Sequence, residues 1–92
     1  MRAPARELPK ATVPSVLKAA RLLDEIAGSR DALSLGDLSS RMSLPKSSTL
    51  SLCTSLTLSG LLQRYDDGTY HLGTRVVDLA HAYLGRTDVT RE

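Results

Sequence analysis

The residues that could do chemistry in this chain are concentrated in one segment, SLPKSSTLSLCTSLTLSG, from Ser43 to Gly60. The segment is rich in hydroxyl groups and contains a single charged residue, Lys46. Hydroxyls and an ammonium group can donate hydrogen bonds to phosphate oxygens and to the polar edges of bases. The composition therefore favours binding to a polar or anionic surface.

If this segment is a helix, its two faces differ in kind. With an advance of about 100° per residue, one face is largely apolar and would belong to the core. The members of that face are Thr49, Leu52, Cys53 and Leu56. The opposite face carries Ser47, Ser51 and Thr54, with Lys46 and Leu50 on a flank between the two. Such small outward side chains would let a large surface approach the helix backbone closely.

The sequence does not favour catalysis. The segment from Ser15 to Lys18 matches the S-x-x-K pattern of β-lactamase-like enzymes, but the companion motifs are missing and 92 residues are too few for that fold. Ser48 has no evident His and Asp partners, and no paired carboxylates, glycine-rich phosphate loop or His-rich metal spacing is present. The single cysteine, Cys53, excludes an internal disulfide and a cysteine-based zinc cluster. We expect no enzyme, no cofactor and no metal.

Length and charge narrow the class further. Ninety-two residues suit one small domain with a connector, and a net charge of +2 is too weak to establish nucleic-acid binding by itself. The positive charge is concentrated near the start, because residues 1–21 hold five Lys or Arg and only one acid, Glu7. We predict a flexible basic arm over residues 1–13, either a phosphate-contacting device or a solvated tail.

Membrane insertion and secretion are not predicted. The chain lacks an apolar run of about 18 residues, the minimum for a membrane-spanning helix. Its charged, proline-containing start does not resemble a secretory signal. We therefore expect a cytoplasmic protein with no membrane partner.

Helical spacing and end signals predict four helices. The first begins at Pro14 with Ser15 as N-cap and ends near Gly28. Its predicted inward stripe is Val16, Ala19, Ala20, Leu23, Ile26 and Ala27. The second helix is predicted at Leu35–Met42, after an S-x-x-D cap at Ser34. The third is predicted at Pro45–Gly60, with Pro45 as its first helical residue. The fourth is predicted at about Arg75–Leu84.

A β-hairpin separates the last two helices. Leu61–Tyr65 and Thr69–Leu72 are short strand candidates, and the turn between them is Asp66-Asp67-Gly68. The order of elements predicts a mainly α (α+β) winged helix-turn-helix over residues 14–73, with a three-helix core and a hairpin wing. The helix-turn-helix motif runs from Ser34 to Cys53, and residues 74–92 form a linker helix and tail.

The sequence resembles the N-terminal DNA-binding domain of IclR-type bacterial transcriptional regulators. The resemblance lies in SVLKAARLLDEIA, LSLGDLSSRMSLPKSSTLSLCTSL and SGLLQRYDDGTYHLGTRVVDLA, which occur in this order and spacing. It implies a homodimeric or tetrameric repressor or activator that binds a pseudo-palindromic operator in double-stranded DNA. It also implies a small-molecule effector, bound by a C-terminal domain that is absent from these residues.

Positions matching the contacts of family members predict the DNA-binding residues. These are Lys46, Ser47, Ser48, Leu50 and Ser51, to which we add Thr54, Arg41 and Arg64 from their predicted placement. The sequence departs from the family where Ser51 replaces a frequent Arg and Leu50 replaces an aromatic residue or His. Loss of the Arg removes a strong phosphate or guanine contact, and Leu50 could instead meet a thymine methyl group.

The wide apolar stripes of the first and last helices predict a dimer interface. Its expected contacts are Leu17, Leu22, Val77 and Leu84. An alternative function remains open, namely a winged helix that binds a protein and not DNA. The basic arm, Lys46 and the hydroxyl-bearing face favour nucleic acid.

Overall fold

The computed structural model describes the chain from residue 8 to residue 91, with side chains described as far as residue 86. The first seven residues of the predicted basic arm therefore lie outside the described residues. The elements are α1 (Pro14–Gly28), β1 (Leu33–Ser34), α2 (Leu35–Met42), α3 (Lys46–Leu58), β2 (Leu62–Arg64), β3 (Thr69–Leu72) and α4 (Arg75–Arg91). This order, with a small antiparallel sheet, confirms the predicted winged helix-turn-helix.

Helix α1 begins two residues earlier than its predicted N-cap, Ser15, requires. Val13 occupies the N-cap position without a side-chain hydrogen bond, and Pro14 is the first helical residue. Proline suits that position because its fixed φ matches the helix and its missing N–H would have no partner there. The prediction of Ser15 as N-cap is therefore wrong.

The buried face of α1 also differs from the predicted stripe. Leu22 is 0% exposed and lies at the centre of the core, with Ala19, Leu23 and Ile26 packed around it. Val16, by contrast, is 63% exposed. The helix has two overlapping apolar stripes, and the one with the larger side chains is buried because the free energy of burial grows with apolar area.

The burial of Leu22 contradicts its expected contact with a second subunit. A side chain with no exposed surface in the single chain has nothing to offer a second subunit. The prediction that Leu22 contacts a partner is wrong. Ala20 and Ala27, which were predicted to face inward, are exposed.

Helix α2 begins with a capping box, as the S-x-x-D pattern predicts. The Asp37 N–H donates to Ser34 Oγ at 3.2 Å, and the Ser34 N–H donates to Asp37 Oδ2 at 2.9 Å. Hydrogen bonds from the Ser34 backbone and hydroxyl lower the pKa of Asp37. Because the carboxylate form is favoured, this contribution to stability is present above the ordinary pKa and is lost as the pH falls through the lowered one.

The turn between α2 and α3 is held by local hydrogen bonds. Ser43 adopts a left-handed conformation with φ of 55°, and the Leu44 N–H donates to the Ser39 carbonyl at 3.1 Å. Pro45 is the N-cap and not the first helical residue, one position from its predicted role, and its carbonyl accepts from the Thr49 N–H and hydroxyl. These contacts fix the direction in which α3 leaves α2.

The sheet has the strand order β1-β3-β2, with all pairs antiparallel. Leu33 of β1 faces Tyr70 of β3, and Leu62 of β2 faces Leu72. The hairpin closes where the Tyr65 N–H donates to the Thr69 carbonyl at 2.8 Å. The sequence does not predict strand β1, since two residues are too few to show an alternating pattern.

Two glycines join the end of α3 to the start of α4. The Gly73 N–H donates to the Leu61 carbonyl at 2.9 Å, and the Arg75 N–H donates to the Gly60 carbonyl at 3.2 Å. A Cβ atom on Gly73 would lie 2.2 Å from the Gly60 carbonyl oxygen. Gly60 itself has φ of 85°, a region that glycine enters without steric cost. A side chain at either position would therefore strain the junction.

Helix α4 extends beyond its predicted end, and its apolar stripe does not pack on the core. Val76 is half-buried, whereas Leu79 and Tyr83 are 54% and 68% exposed. Within residues 8–91, no helix is both long enough and apolar enough to cross a membrane.

We expect Gly73→Ala to lower the free energy of unfolding by about 1–3 kcal/mol, the usual cost of overpacking, because the new methyl group collides with rigid backbone. Urea unfolding followed by circular dichroism measures the change. Gly28→Ala is the matched control, since a Cβ there meets nothing within 4 Å and alanine favours the helix. Equal stability of the two variants would contradict the close approach.

Candidate nucleic-acid interface

Helix α3 is anchored by the face that the sequence predicts. Thr49 and Cys53 are 0% exposed, Leu56 is 7% exposed and Leu52 is half-buried. The buried Thr49 hydroxyl donates to the Pro45 carbonyl at 2.9 Å, so this polar group is not left without a partner in the core. Rotation of α3 about its axis would expose these groups, and the orientation of the opposite face is thereby fixed.

The opposite face of α3 is open to solvent. We call Ser47, Ser48, Ser51 and Thr54 the hydroxyl face, and all four residues are exposed. Lys46, in the first turn, and Leu50, 46% exposed, are accessible beside it. The structure thus brings together, on one helix, six of the eight residues predicted to bind DNA.

The hydroxyls of this face differ in what they can still bond. Ser51 Oγ donates to the Ser47 carbonyl at 3.2 Å, so its proton is used within the helix and its lone pairs remain. Among the side chains described, the hydroxyls of Ser47, Ser48 and Thr54 have no hydrogen-bond partner. These three can donate to an incoming acceptor, whereas Ser51 is better placed to accept.

Arg41 lies in the last turn of α2 and is tied to α1. Its Nη1 atom is 3.6 Å from Glu25 Oε1, and its side chain is 43% exposed. An exposed pair of this length contributes little to stability and opens readily. Arg41 can therefore exchange Glu25 for an outside anion, although the carboxylate competes for it.

The wing presents Arg64 together with an ordered acidic turn. Arg64 is exposed at the end of β2, and Asp66 is exposed at the tip. Asp67 accepts from the Thr69 hydroxyl at 2.6 Å and from the Thr69 N–H at 3.0 Å. These bonds, led by the hydroxyl, lower the pKa of Asp67. Asp67 thus has a structural role inside the turn, and Gly68, with φ of 86°, supplies the reversal.

Sequence reasoning missed a side-chain network on the wing. The rings of Tyr65 and His71 stack with centroids 3.6 Å apart and an interplanar angle of 26°. The Thr69 oxygen is 2.8 Å from His71 Nε2. Since the Thr69 proton goes to Asp67, His71 must donate from Nε2. Side chains alternate between the two faces along each strand of a sheet. This alternation was the sequence signal that could have placed Tyr65 and His71 on the same face of the wing.

Cys53 is a core residue and not a reactive one. Burial raises the pKa of its thiol to about 11, so the group stays protonated and unreactive near neutral pH. Within the described residues, no group of three His, Cys, Asp or Glu side chains is placed to hold a metal ion.

The remaining predicted dimer contacts lie on the surface. Leu17, Val77 and Leu84 are 46%, 52% and 53% exposed. Two further exposed side chains were not predicted as contacts, Val16 on α1 and Leu58 on α3, the latter 85% exposed. The contact of Leu17, Val77 and Leu84 with a second subunit stays a prediction.

Comparison with known proteins places this chain in a family. The family model described as the IclR helix-turn-helix domain matches residues 15–66, more than half of the chain. The HTH-type transcriptional regulator XynR of Escherichia coli (strain K12) is 32% identical over 81 residues, which cover 87% of this chain and 32% of XynR.

Two solved structures are similar to the whole arrangement. The repressor BlcR of Agobacterium tumefaciens is 38% identical with a TM-score of 0.76, over 80% of this chain and 30% of BlcR. An IclR family transcriptional regulator from Brucella abortus has a TM-score of 0.78 at 21% identity, over 91% of this chain and 32% of the regulator, and shows the shared fold. The chain spans about a third of the length of these relatives. From α1 through the wing turn, it belongs to the IclR helix-turn-helix domain family.

Proposed function

We propose that the chain is the DNA-binding part of an IclR-type transcriptional regulator, and that its hydroxyl face binds duplex DNA. The observation that carries the proposal is the two-sided build of α3. Its apolar side is sealed in the core, while small hydroxyls and Lys46 stand exposed on the second helix of a helix-turn-helix. We expect no catalytic activity.

The groove geometry supports this use of α3. A major groove about 12 Å wide admits an α-helix, and small side chains allow the closest approach. Lys46 and the free hydroxyls of Ser47 and Ser48 would bind phosphates or base edges from the first turns of the helix. Leu50 would lie against the groove floor, where a thymine methyl group is a suitable partner.

Side chains outside α3 would fix the orientation of the domain on the duplex. Arg64 would reach the sugar–phosphate backbone from the wing, and Arg41 would do so from the end of α2. The acidic wing tip would stay clear of the phosphates, because Asp66 is exposed and the lowered pKa of Asp67 keeps that residue charged.

A dimer is the expected binding form. Leu17 on α1 and Val77 and Leu84 on α4 are exposed apolar side chains, and burial against a second copy would remove them from water. A two-fold dimer would read a pseudo-palindromic operator whose half-sites lie about 34–36 Å apart, or a multiple of that distance. We infer that the regulator assembles as a homodimer or tetramer, that a further domain binds a small effector, and that the regulator acts in the bacterial cytoplasm.

Duplex binding should fall steeply with salt. Titration of a selected duplex by fluorescence anisotropy at several salt concentrations gives the slope of log K against log salt, which is about −0.9 for each phosphate neutralised. Lys46→Gln should reduce the magnitude of that slope by about 1 and weaken binding to all duplexes alike. A wild-type slope near zero would overturn DNA binding and favour a protein-binding winged helix.

Removal of the Glu25 carboxylate tests whether Arg41 reaches DNA. We expect Glu25→Gln to raise duplex affinity several-fold and to steepen the salt slope, because Arg41 loses its competing partner. The double variant Glu25→Gln with Arg41→Gln should lose this gain. If the gain persists without the arginine, Arg41 does not contact the phosphates.

Sedimentation equilibrium tests the apolar surface of α1 and α4. The chain should form a concentration-dependent dimer, and Leu17→Ser with Val77→Ser should shift it toward monomer without loss of helix content. Ala32→Ser, on an exposed loop, is the control. A chain that remains monomeric at high concentration would mean that a further domain supplies the dimer energy.

A further inference from the structure

A groove of about 350 Å³ runs between α1 and α3, beside the hydroxyl face. Its walls are formed by two residues of α1 and four of α3, namely Ser15, Lys18, Ser48, Ser51, Leu52 and Ser55. None of the eight residues that the sequence predicts to bind DNA lies on α1. The groove arises because the N-terminal half of α1 packs against the middle of α3, which the order of residues along the chain does not reveal.

The charge of this groove is positive. Lys18 is its single charged lining residue, and the first turn of α1 contains no acidic residue. Among the side chains described, Lys18 forms no ion pair, and the ion pair found among them joins Arg41 to Glu25. An exposed lysine without a carboxylate partner is available to an external anion.

The groove is continuous with the proposed DNA surface. Ser48 and Ser51 belong both to the groove and to the hydroxyl face. The half-buried Leu52 supplies an apolar wall between the polar rims. A DNA strand beside a helix in the major groove presents deoxyribose carbons and phosphate oxygens in alternation, and such a surface suits an apolar wall next to an ammonium group and hydroxyls.

We infer that this groove receives the sugar–phosphate backbone of one DNA strand, and that Lys18 binds a phosphate of that strand. The inference rests on the proposed DNA binding and extends the interface onto α1. Lys18 adds affinity without reading sequence, because every nucleotide has the same phosphate. Ser48 and Ser51 then lie between the backbone and the base edges.

A second copy of the chain is the competing occupant. Beyond Ser55 the space between the two helices continues as a mainly apolar stretch, lined by Val16, Ala19 and Leu56 among others. That stretch has no charged lining residue and would suit an apolar side chain. The charge at Lys18 distinguishes the two occupants, because a phosphate requires it and an apolar contact does not.

The test is duplex binding by Lys18→Gln, measured against salt alongside the wild type. We expect the slope of log K against log salt to fall in magnitude by about 0.9. The affinity deficit should therefore shrink by about 3.5-fold between 50 and 200 mM salt, and it should be equal for selected and random duplexes. Lys18→Arg should retain most of the affinity, since a guanidinium also binds phosphate.

Arg30→Gln is the matched control, because Arg30 is an exposed cation in the loop after α1, outside the groove. If Lys18→Gln and Arg30→Gln have the same effect, the inference is wrong even though DNA binding stands. Salt-independent binding by the wild type would instead overturn the proposed function itself. If Lys18→Gln shifts the monomer–dimer equilibrium and leaves the DNA slope unchanged, the groove holds a second copy and the inference is overturned.

Discussion

The burial of one side of α3 is the constraint on which the rest of the structure depends. Thr49, Cys53 and Leu56 are buried in the core. The Cys53 thiol stays protonated, and the Thr49 hydroxyl donates to the Pro45 carbonyl, so neither group favours exposure to water. Any rotation of the helix would expose apolar surface at about 25 cal/mol for each Å². The direction of the hydroxyl face is therefore fixed, which suits a surface proposed to bind in the major groove of DNA.

Junctions between elements convert that single orientation into an interface. The capping box at Ser34 fixes where α2 begins, the left-handed Ser43 and the capping Pro45 set the angle to α3, and the close approach of Gly60 and Gly73 ties the wing and α4 to the end of α3. Together they hold the wing, α2 and α3 in one frame, so that Arg64, Arg41 and Lys46 could meet the same duplex.

The sequence predicted those parts of the fold whose signals are local. The face of α3, the Ser34 cap and the hairpin turn at Gly68 follow from periodicity and backbone preference, and the structure confirms them. The inward face of α1 was predicted only in part: Ala19, Leu23 and Ile26 pack against the core, whereas the rest of the predicted stripe is exposed. Two apolar stripes compete on this helix, and packing against the other elements decides between them. The short strand β1 and the groove at Lys18 were not predicted, since each exists only through contact with a distant segment.

The central claim is that the exposed side of α3 reads duplex DNA as part of a two-fold assembly. Selection of bound duplexes from a random pool tests it most directly. The structure predicts enriched sequences with inverted half-sites about one helical turn apart, or a multiple of it, and loss of that enrichment when Ser47 and Ser48 are both replaced by Glu. Recovery of a pool no different from the starting one, under low salt and with folded protein, would contradict the claim.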